Sequence, residues 1–208
     1  MVAYKVLVHS SIRFDYSGII IYFDPFKIQG NPNDADLIFI THSHYDHYSI
    51  EDIRKVDNGK TLYIMPETMI GKIEQIPFKR RIIGVKQTGS YEANGIYFQT
   101  VPAYNIQKPF HKKEFGWVGY IITLDNQKYY IMGDTDDTKE AEQVKADVVF
   151  APVGGTYTMD ANDAAHAVNM IHPKIGIPIH YGLLVGDQSD AKKFSSLLDS
   201  GIASDIEL

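Results

Sequence analysis

The chain has no cysteine, and it has no apolar run long enough to span a membrane. Without thiols it can form neither a disulfide nor a metal–thiolate bond, so any metal site must use nitrogen and oxygen ligands. A spanning helix needs about 20 apolar residues, and the segment MVAYKVLVHS at the start lacks the hydrophobic stretch of a signal peptide. We therefore expect a cytoplasmic protein without a membrane partner.

Dense positive charge is also scarce. The formal net charge is −6 at pH 7, and the basic clusters, such as Lys79–Arg81 and Lys112–Lys113, are no longer than three residues. Clusters this short cannot follow the backbone of an extended nucleic acid. We expect a small-molecule substrate, and whether the chain forms a homo-oligomer stays open.

The 208 residues contain about ten short apolar runs, which are rich in Ile, Val, Tyr and Phe and are separated by turn residues. Runs of this kind predict strands. They are Tyr4–Val8, Ile19–Phe23, Leu37–Ile40, Leu62–Met65, Arg81–Val85, Ile96–Val101, Val118–Leu124, Tyr129–Met132, Val148–Ala151 and Ile175–Ile179. Asn94-Gly95 and Asp125-Asn126 predict hairpin turns between paired runs.

Helical patterns lie between some of these strands, in both halves of the chain. We expect a helix capped by Ser49 that runs through Val56, and four others at Pro66–Gln75, Asp137–Lys145, Ala161–Ile171 and Gln188–Ser200. Interspersed strands and helices predict one layered α/β domain over residues 1–208.

Four predicted strands end on residues that suit a binding site. They run into His42, Gly133-Asp134, Gly154-Gly155 and His180. A rigid sheet holds such strand ends at one edge, where layered α/β proteins gather their ligands. Residues that are distant in sequence could therefore converge there.

The stretch THSHYDH carries the strongest chemical signal. The i, i+2 spacing of His42 and His44 places both imidazoles on one side of an extended segment. Asp46 and His47 follow at the turn into the helix, so the four groups could divide between two ions. Asp134 has the chemistry to bridge two ions, and His180 could complete the second site.

These motifs, in this order, resemble the metallo-β-lactamase superfamily of metal-dependent hydrolases. The resemblance rests on THSHYDH, GDTD, IPIHYG and the earlier IYFDPF, and it extends over nearly the whole chain. It implies an α/β (α+β) fold, a four-layer αββα sandwich with two divalent ions at one edge. Zinc is the expected metal, and Mn, Ni and Fe are the alternatives. The stretch APVGGTYTMDANDAAHAV is similar to the UlaG-like branch, whose named activity is L-ascorbate-6-phosphate lactonase.

The resemblance also implies residue roles. Asp46 and Asp134 are the expected catalytic residues, and the expected metal ligands are His42, His44, Asp46, His47, Asp134 and His180, to which ligand chemistry adds His111. Asp24 is expected to act as a hydrogen-bond acceptor that orients the histidine loop, which is residues 42–47. His9 either lines the rim of the site or is structural.

The third histidine that the superfamily usually supplies to the first ion is absent from the stretch TVPAYNIQ, where this chain has Asn105. Three alternatives follow: the Asn105 amide oxygen is a ligand, His111 reaches in from the next loop, or the first ion is loosely held. We favour His111, because a neutral imidazole binds late first-row divalent ions better than an amide does.

The expected function is hydrolysis by a metal-bound hydroxide of a lactone, ester or phosphodiester in a small substrate that can carry a phosphate. One alternative is a metal-binding scaffold or assembly subunit with little catalysis. Another is a redox or oxygen-handling site of the kind found in di-iron relatives.

Overall fold

A computed structural model describes residues 2–70 and 81–206. Its strands are β1 Val2–Val8, β2 Ser11–Tyr16, β3 Ile19–Phe23, β4 Ala35–Phe39, β5 Asp57–Pro66, β6 Ile82–Val85, β7 Gly89–Ala93, β8 Ile96–Pro102, β9 Val118–Leu124, β10 Gln127–Ile131, β11 Val148–Pro152, β12 Ile175–Ile179 and β13 Ala203–Ser204. Its helices are α1 Ile50–Val56, α2 Glu67–Ile70, α3 Lys139–Glu142, α4 Ala161–Ile171 and α5 Gln188–Ser196.

The strands form two mixed sheets. The first has the order β1-β2-β3-β4-β5-β6, and the second has the order β13-β12-β11-β10-β9-β8-β7. The outer face of the first sheet packs on α1 and α2, and the outer face of the second packs on α3, α4 and α5. The predicted four-layer αββα sandwich is therefore confirmed. Within the described ranges, no helix has the length and apolar character needed to cross a membrane.

The core between the sheets is rich in aromatic rings. Phe23 stacks on Phe39 with 4.7 Å between ring centroids, and Phe98 from the other sheet meets Phe39 edge-on at 5.0 Å. In β4, Leu37 and Phe39 face this core, whereas Ile38 packs toward α1 on the opposite face. The run is apolar without alternation because both of its faces are buried.

Both predicted hairpins are confirmed. Ala93 pairs with Ile96 across Asn94-Gly95, and β9 and β10 pair in the same way across Asp125-Asn126. All four turn residues have positive φ, as a two-residue type I′ turn requires.

Several element predictions were wrong or incomplete. β2, β7 and β13 were not predicted, because polar residues interrupt their short apolar patterns. α3 covers only Lys139–Glu142, and the Thr138 side chain caps its first turn by accepting a hydrogen bond from the Ala141 N–H. α5 ends at Ser196, before the predicted Ser200, and β6 begins at Ile82. Residues 71–75 of the predicted second helix lie outside the described residues.

The two sheets are joined directly at the edge where the predicted site lies. The buried Tyr120 hydroxyl in β9 donates to the Ile40 carbonyl after β4, at 2.8 Å. The Val118 N–H donates to the Thr41 carbonyl at 3.3 Å. These bonds fix the start of the histidine loop relative to the second sheet.

Replacing Tyr120 with Phe removes the hydroxyl and leaves a buried carbonyl short of a donor. We expect the free energy of unfolding to fall by about 1–2 kcal/mol, measured by urea denaturation in the presence of a chelator. Tyr97→Phe is the matched control. Tyr97 is 64% exposed, so the hydroxyl that this substitution removes is one that water can reach. Equal stability of the two variants would contradict this role for Tyr120.

Candidate metal centre

Side chains from both sheets meet at one edge of the sandwich. His9, Asp24, Asp134 and His180 each lie within three residues of a strand end, and the histidine loop follows β4. The structure brings together all seven residues that the sequence predicts as ligands: His42, His44, Asp46, His47, His111, Asp134 and His180. All seven, except the partly exposed His44, are buried.

The first cluster consists of His42, His44, His111 and Asp134. His44 Nδ1 lies 3.1 Å from His42 Nε2 and 3.2 Å from His111 Nε2. Asp134 Oδ2 lies 3.1 Å from His111 Nε2 and 3.7 Å from His42 Nε2. Ligand atoms in a tetrahedral zinc site are about 3.3 Å apart, so these four atoms are spaced as a single ion requires.

The second cluster consists of His9, Asp46, His47 and His180, and Asp134 of the first cluster lies beside it. His47 Nε2 lies 3.2 Å from Asp134 Oδ1, and His180 Nε2 lies 3.2 Å from Asp134 Oδ2. Asp46 Oδ2 is 3.6 Å from His47 Nε2 and 3.8 Å from His180 Nε2. The Asp134 carboxylate therefore borders both clusters, as a bridging ligand must.

Unpartnered polar atoms test whether cations fit here. Five buried atoms of these residues have no hydrogen-bond partner, and two of them are His9 Nδ1 and His180 Nδ1. The other three, His47 Nε2, His180 Nε2 and Asp134 Oδ1, each lie 3.2 Å from another ligand-type atom. Each unsatisfied buried group costs about 1–3 kcal/mol. A divalent cation would satisfy all three, so the donor set fits a metal and gives these atoms a reason to be buried.

Asp24 fixes the orientation of His47, as expected. Its Oδ2 lies 2.7 Å from His47 Nδ1, and it also accepts hydrogen bonds from the Thr41 hydroxyl and the Thr41 N–H. An acceptor on one ring nitrogen places the proton there and leaves the lone pair on the other nitrogen. His47 Nε2 thus presents a lone pair to the cluster.

Asn105 does the same for His111. The Asn105 amide nitrogen donates to Asp136 Oδ1 at 3.1 Å and to the Tyr157 carbonyl at 2.9 Å. Its oxygen must then accept, and it lies 2.9 Å from His111 Nδ1 and 3.1 Å from the His111 backbone nitrogen. Asn105 therefore orients His111, whose Nε2 faces the first cluster.

Electrostatics keep the shared carboxylate ionised. Burial alone would raise the pKa of Asp134, but the neighbouring His180, His47 and His42 outweigh it and hold this pKa well below its usual value. Burial opposes a charge on His47 too, yet Asp134 and Asp24 raise its pKa well above the ordinary value. Without a cation His47 therefore carries a proton on Nε2 as well, and a metal ion would have to displace that proton to bind there. Burial, with His47 nearby, lowers the pKa of His42 and favours a neutral ring that can ligate.

His9 is a site residue whose role the sequence left open. It is buried, its Nε2 lies 3.2 Å from Asp46 Oδ2, and its carbonyl accepts a hydrogen bond from the His180 N–H. Burial lowers the pKa of His9, so the neutral ring carries one proton. Its Nδ1 has no partner. The 3.2 Å contact is a hydrogen bond when Nε2 carries the proton, so the geometry fits donation from His9 Nε2 to Asp46.

Gly154 makes room for His180. A Cβ at Gly154 would lie 2.4 Å from the His180 carbonyl oxygen and 3.1 Å from His180 Nδ1. The following residues form a turn closed by the Gly155 N–H and the Met159 carbonyl, before Asp160 caps α4. The glycine pair thus serves both the turn and the packing of a predicted ligand.

One other cluster, Asp137, Glu142 and His166, has ligand-type atoms close together in the described chain. His166 is on the surface, with 62% of its side chain exposed, and pairs with Asp137 at 2.5 Å. An ordinary surface ion pair explains this contact.

Comparisons with known proteins agree with this geometry. A family model described as a beta-lactamase superfamily domain matches residues 5–180. The UPF0173 metal-dependent hydrolase of Thermococcus onnurineus is 30% identical over 213 residues, which cover 95% of this chain and 92% of that protein.

Solved structures are similar as well. A Parabacteroides distasonis crystal structure, described as a metal-dependent hydrolase, superposes with a TM-score of 0.82 and 31% identity, and covers 97% of this chain and 90% of that chain. CmlA, a diiron β-hydroxylase from Streptomyces venezuelae, has a TM-score of 0.79 at 15% identity, and the match covers all of this chain but 52% of CmlA. The likeness to CmlA is therefore one of fold.

Replacing Asn105 with Ala removes the acceptor that sets the His111 tautomer. We expect the affinity of the first cluster, which contains His111, for its metal ion to fall about 10–100-fold. The affinity of the second cluster should not change. Metal analysis after dialysis and competition with a chromophoric chelator measure this. Asn162→Ala, at an exposed helix position, is the control. An unchanged affinity at both sites would contradict the role of Asn105.

His9→Ala removes the donor to Asp46, whereas His9→Gln keeps an amide N–H that can replace it. We expect His9→Ala to weaken the second ion about 10-fold or more and His9→Gln to restore much of the loss. Chelator competition on both variants measures the difference. Equal loss in both would point to His9 as a ligand and contradict the positioning role.

Proposed function

Because this chain belongs to the beta-lactamase superfamily and to the UPF0173 metal-dependent hydrolases within it, we propose that it is a hydrolase with two divalent cations at the edge of the sandwich. One observation carries the proposal: two ligand clusters meet at the Asp134 carboxylate. His42, His44 and His111 would hold one ion, and Asp46, His47 and His180 the other. The all-nitrogen-and-oxygen donor set suits zinc, with Mn, Ni and Fe as alternatives.

Two ions held by these residues would lower the pKa of a bound water and polarise the bond to be cleaved. The residues of the chain supply the rest. Asp134 spans both clusters and sets their spacing. Asp46, which lines the cavity and is held by His9, is placed to accept a hydrogen bond from the attacking water and orient it. Burial of the histidines excludes competing solvent from the ligand side of the site.

The bond to be cleaved belongs to a small molecule. The cavity over Asp46, Asp134 and His180 has a volume of about 310 Å³, near the lower limit for ligand pockets. The similarity of residues 151–168 to the UlaG-like branch supports a lactone, and the superfamily chemistry also allows an ester or a phosphodiester. A lactonase or phosphodiesterase activity is accordingly our narrower proposal.

The scaffold alternative loses its main support. It depended on the missing third histidine, but His111 is buried and its Nε2 lies 3.1 Å from Asp134 Oδ2 and 3.2 Å from His44 Nδ1. The first cluster therefore has three imidazoles, as a fully formed site would.

Purified protein should contain close to two ions per chain and hydrolyse at least one member of a panel of lactones, esters and phosphodiesters. A chelator should abolish turnover, and added zinc or manganese should restore it. Asp134→Asn should lower kcat at least about 100-fold, because it removes the charge that both ions share. Asp137→Asn is the control at a neighbouring carboxyl outside the site.

Two results would contradict the proposal. The first is stoichiometric metal with no chelator-sensitive turnover on any substrate, which is the expectation for a scaffold. The second is full activity in Asp134→Asn with normal folding.

A further inference from the structure

The cavity over the metal centre has a polar floor and an apolar wall. Asp46, Asp134 and His180 form part of its floor, together with His44. Tyr45, Phe110, Tyr157 and Leu184 form the wall. The wall comes from four loops, which follow β4, β8, β11 and β12.

These apolar side chains are unusually exposed. Tyr45 is 66% exposed, and Phe110, Tyr157 and Leu184 are each 39–41% exposed. Two further exposed apolar residues, Ile106 and Leu183, lie on the same loops. Large apolar side chains left open to water around a cleft mark a ligand-binding surface.

Phe110 and Tyr157 contact each other in this wall. Their rings meet edge-on with 4.8 Å between centroids. The Tyr157 carbonyl accepts a hydrogen bond from Asn105, the residue that also orients His111. Asn105 thus links the aromatic pair to His111, a predicted metal ligand.

No lysine or arginine of the described chain lines this cavity. The nearby Lys108 is tied to Asp136 at 2.5 Å, and Lys113 is tied to Glu140 at 2.6 Å. Arg13 pairs with Asp34. Lys112 is exposed, but it lines a neighbouring cleft and not this cavity. A phosphate on the substrate would therefore find no cationic side chain of the described chain in the cavity lining, although a phosphorylated substrate is compatible with the sequence.

We propose that the site takes an uncharged ester or lactone that carries an aromatic or branched aliphatic group, which packs against Phe110, Tyr157 and Leu184. The inference rests on the proposed hydrolase function. In the reaction, the water oxygen bonds to the carbonyl carbon, the carbon–oxygen single bond breaks, and the leaving oxygen takes up a proton. The products are a carboxylic acid and an alcohol, joined in one molecule when the substrate is a lactone.

Binding of hydroxamates to the zinc-loaded protein tests the wall without any need for turnover. Acetohydroxamate and benzohydroxamate share the metal-binding group, and benzohydroxamate adds a ring. Calorimetry should show benzohydroxamate binding about tenfold tighter or more, because the ring leaves water for an apolar surface. 4-Carboxybenzohydroxamate should lose most of that gain, since the carboxylate finds no cation.

Phe110→Ala and Leu184→Ala should each reduce the ratio of benzohydroxamate affinity to acetohydroxamate affinity. Tyr97→Ala, which removes an exposed aromatic ring from β8, is the matched control. Equal binding of the two hydroxamates, or tighter binding of the charged one, would overturn the inference.

Turnover separates this inference from the proposed function. The ratio of kcat/KM for methyl phenylacetate over methyl acetate should exceed about ten and should fall in Phe110→Ala. Turnover of both esters without a preference would overturn the apolar wall alone. A preference in hydroxamate binding with no hydrolysis of any ester or lactone would support the wall and count against the hydrolase.

Discussion

The buried carboxylate of Asp134 is the constraint on which the rest of the structure depends. It is 3% exposed, and it lies within 4 Å of imidazole nitrogens from His42, His47, His111 and His180. A buried charge is costly unless it is paired or coordinates a metal. The imidazoles that surround it follow strands of both sheets, so the site can assemble only when the two sheets pack against each other.

The chain meets this constraint with strained backbone at the strand ends. His9, Asp24 and His180 all have positive φ values, of 57°, 43° and 61°, which non-glycine residues rarely adopt. Such conformations persist where the surroundings hold them, and they concentrate at functional sites. Here the hydrogen bond from the His180 N–H to the His9 carbonyl joins two of these residues across the sheets. The aromatic core behind them provides the rigid support.

Much of the predicted ligand set could be inferred from the sequence, because it depends on the order and spacing of neighbouring residues. The spacing in THSHYDH places groups by strand and turn geometry, and the apolar runs that end on Asp134 and His180 indicated a common edge. The choice between Asn105 and His111 could be argued from ligand chemistry, but the role of Asn105 as an acceptor depends on Asp136 and Tyr157.

Other features could not be predicted, since they arise from tertiary contacts. A lone histidine after a strand, such as His9, looks the same in sequence whether it contacts Asp46 or packs as a structural residue. The exposure of Phe110 and Tyr157 follows from how their loops cross at the mouth of the site. The pairing of Lys108 with Asp136, which occupies a cation near the site, is likewise a contact between residues distant in sequence. β2 was not predicted because polar residues alternate with its apolar ones, although Ile12 and Phe14 are fully buried.

The central claim is that Asp134 joins two ions, and an anomalous-scattering map of a crystal grown with zinc or manganese tests it most directly. The account predicts two peaks about 3.5–4 Å apart, one on each side of the Asp134 carboxylate. The first peak should lie within bonding distance of His111 Nε2, with Asn105 behind that ring. A single peak, or a first peak bound to the Asn105 oxygen, would contradict the account.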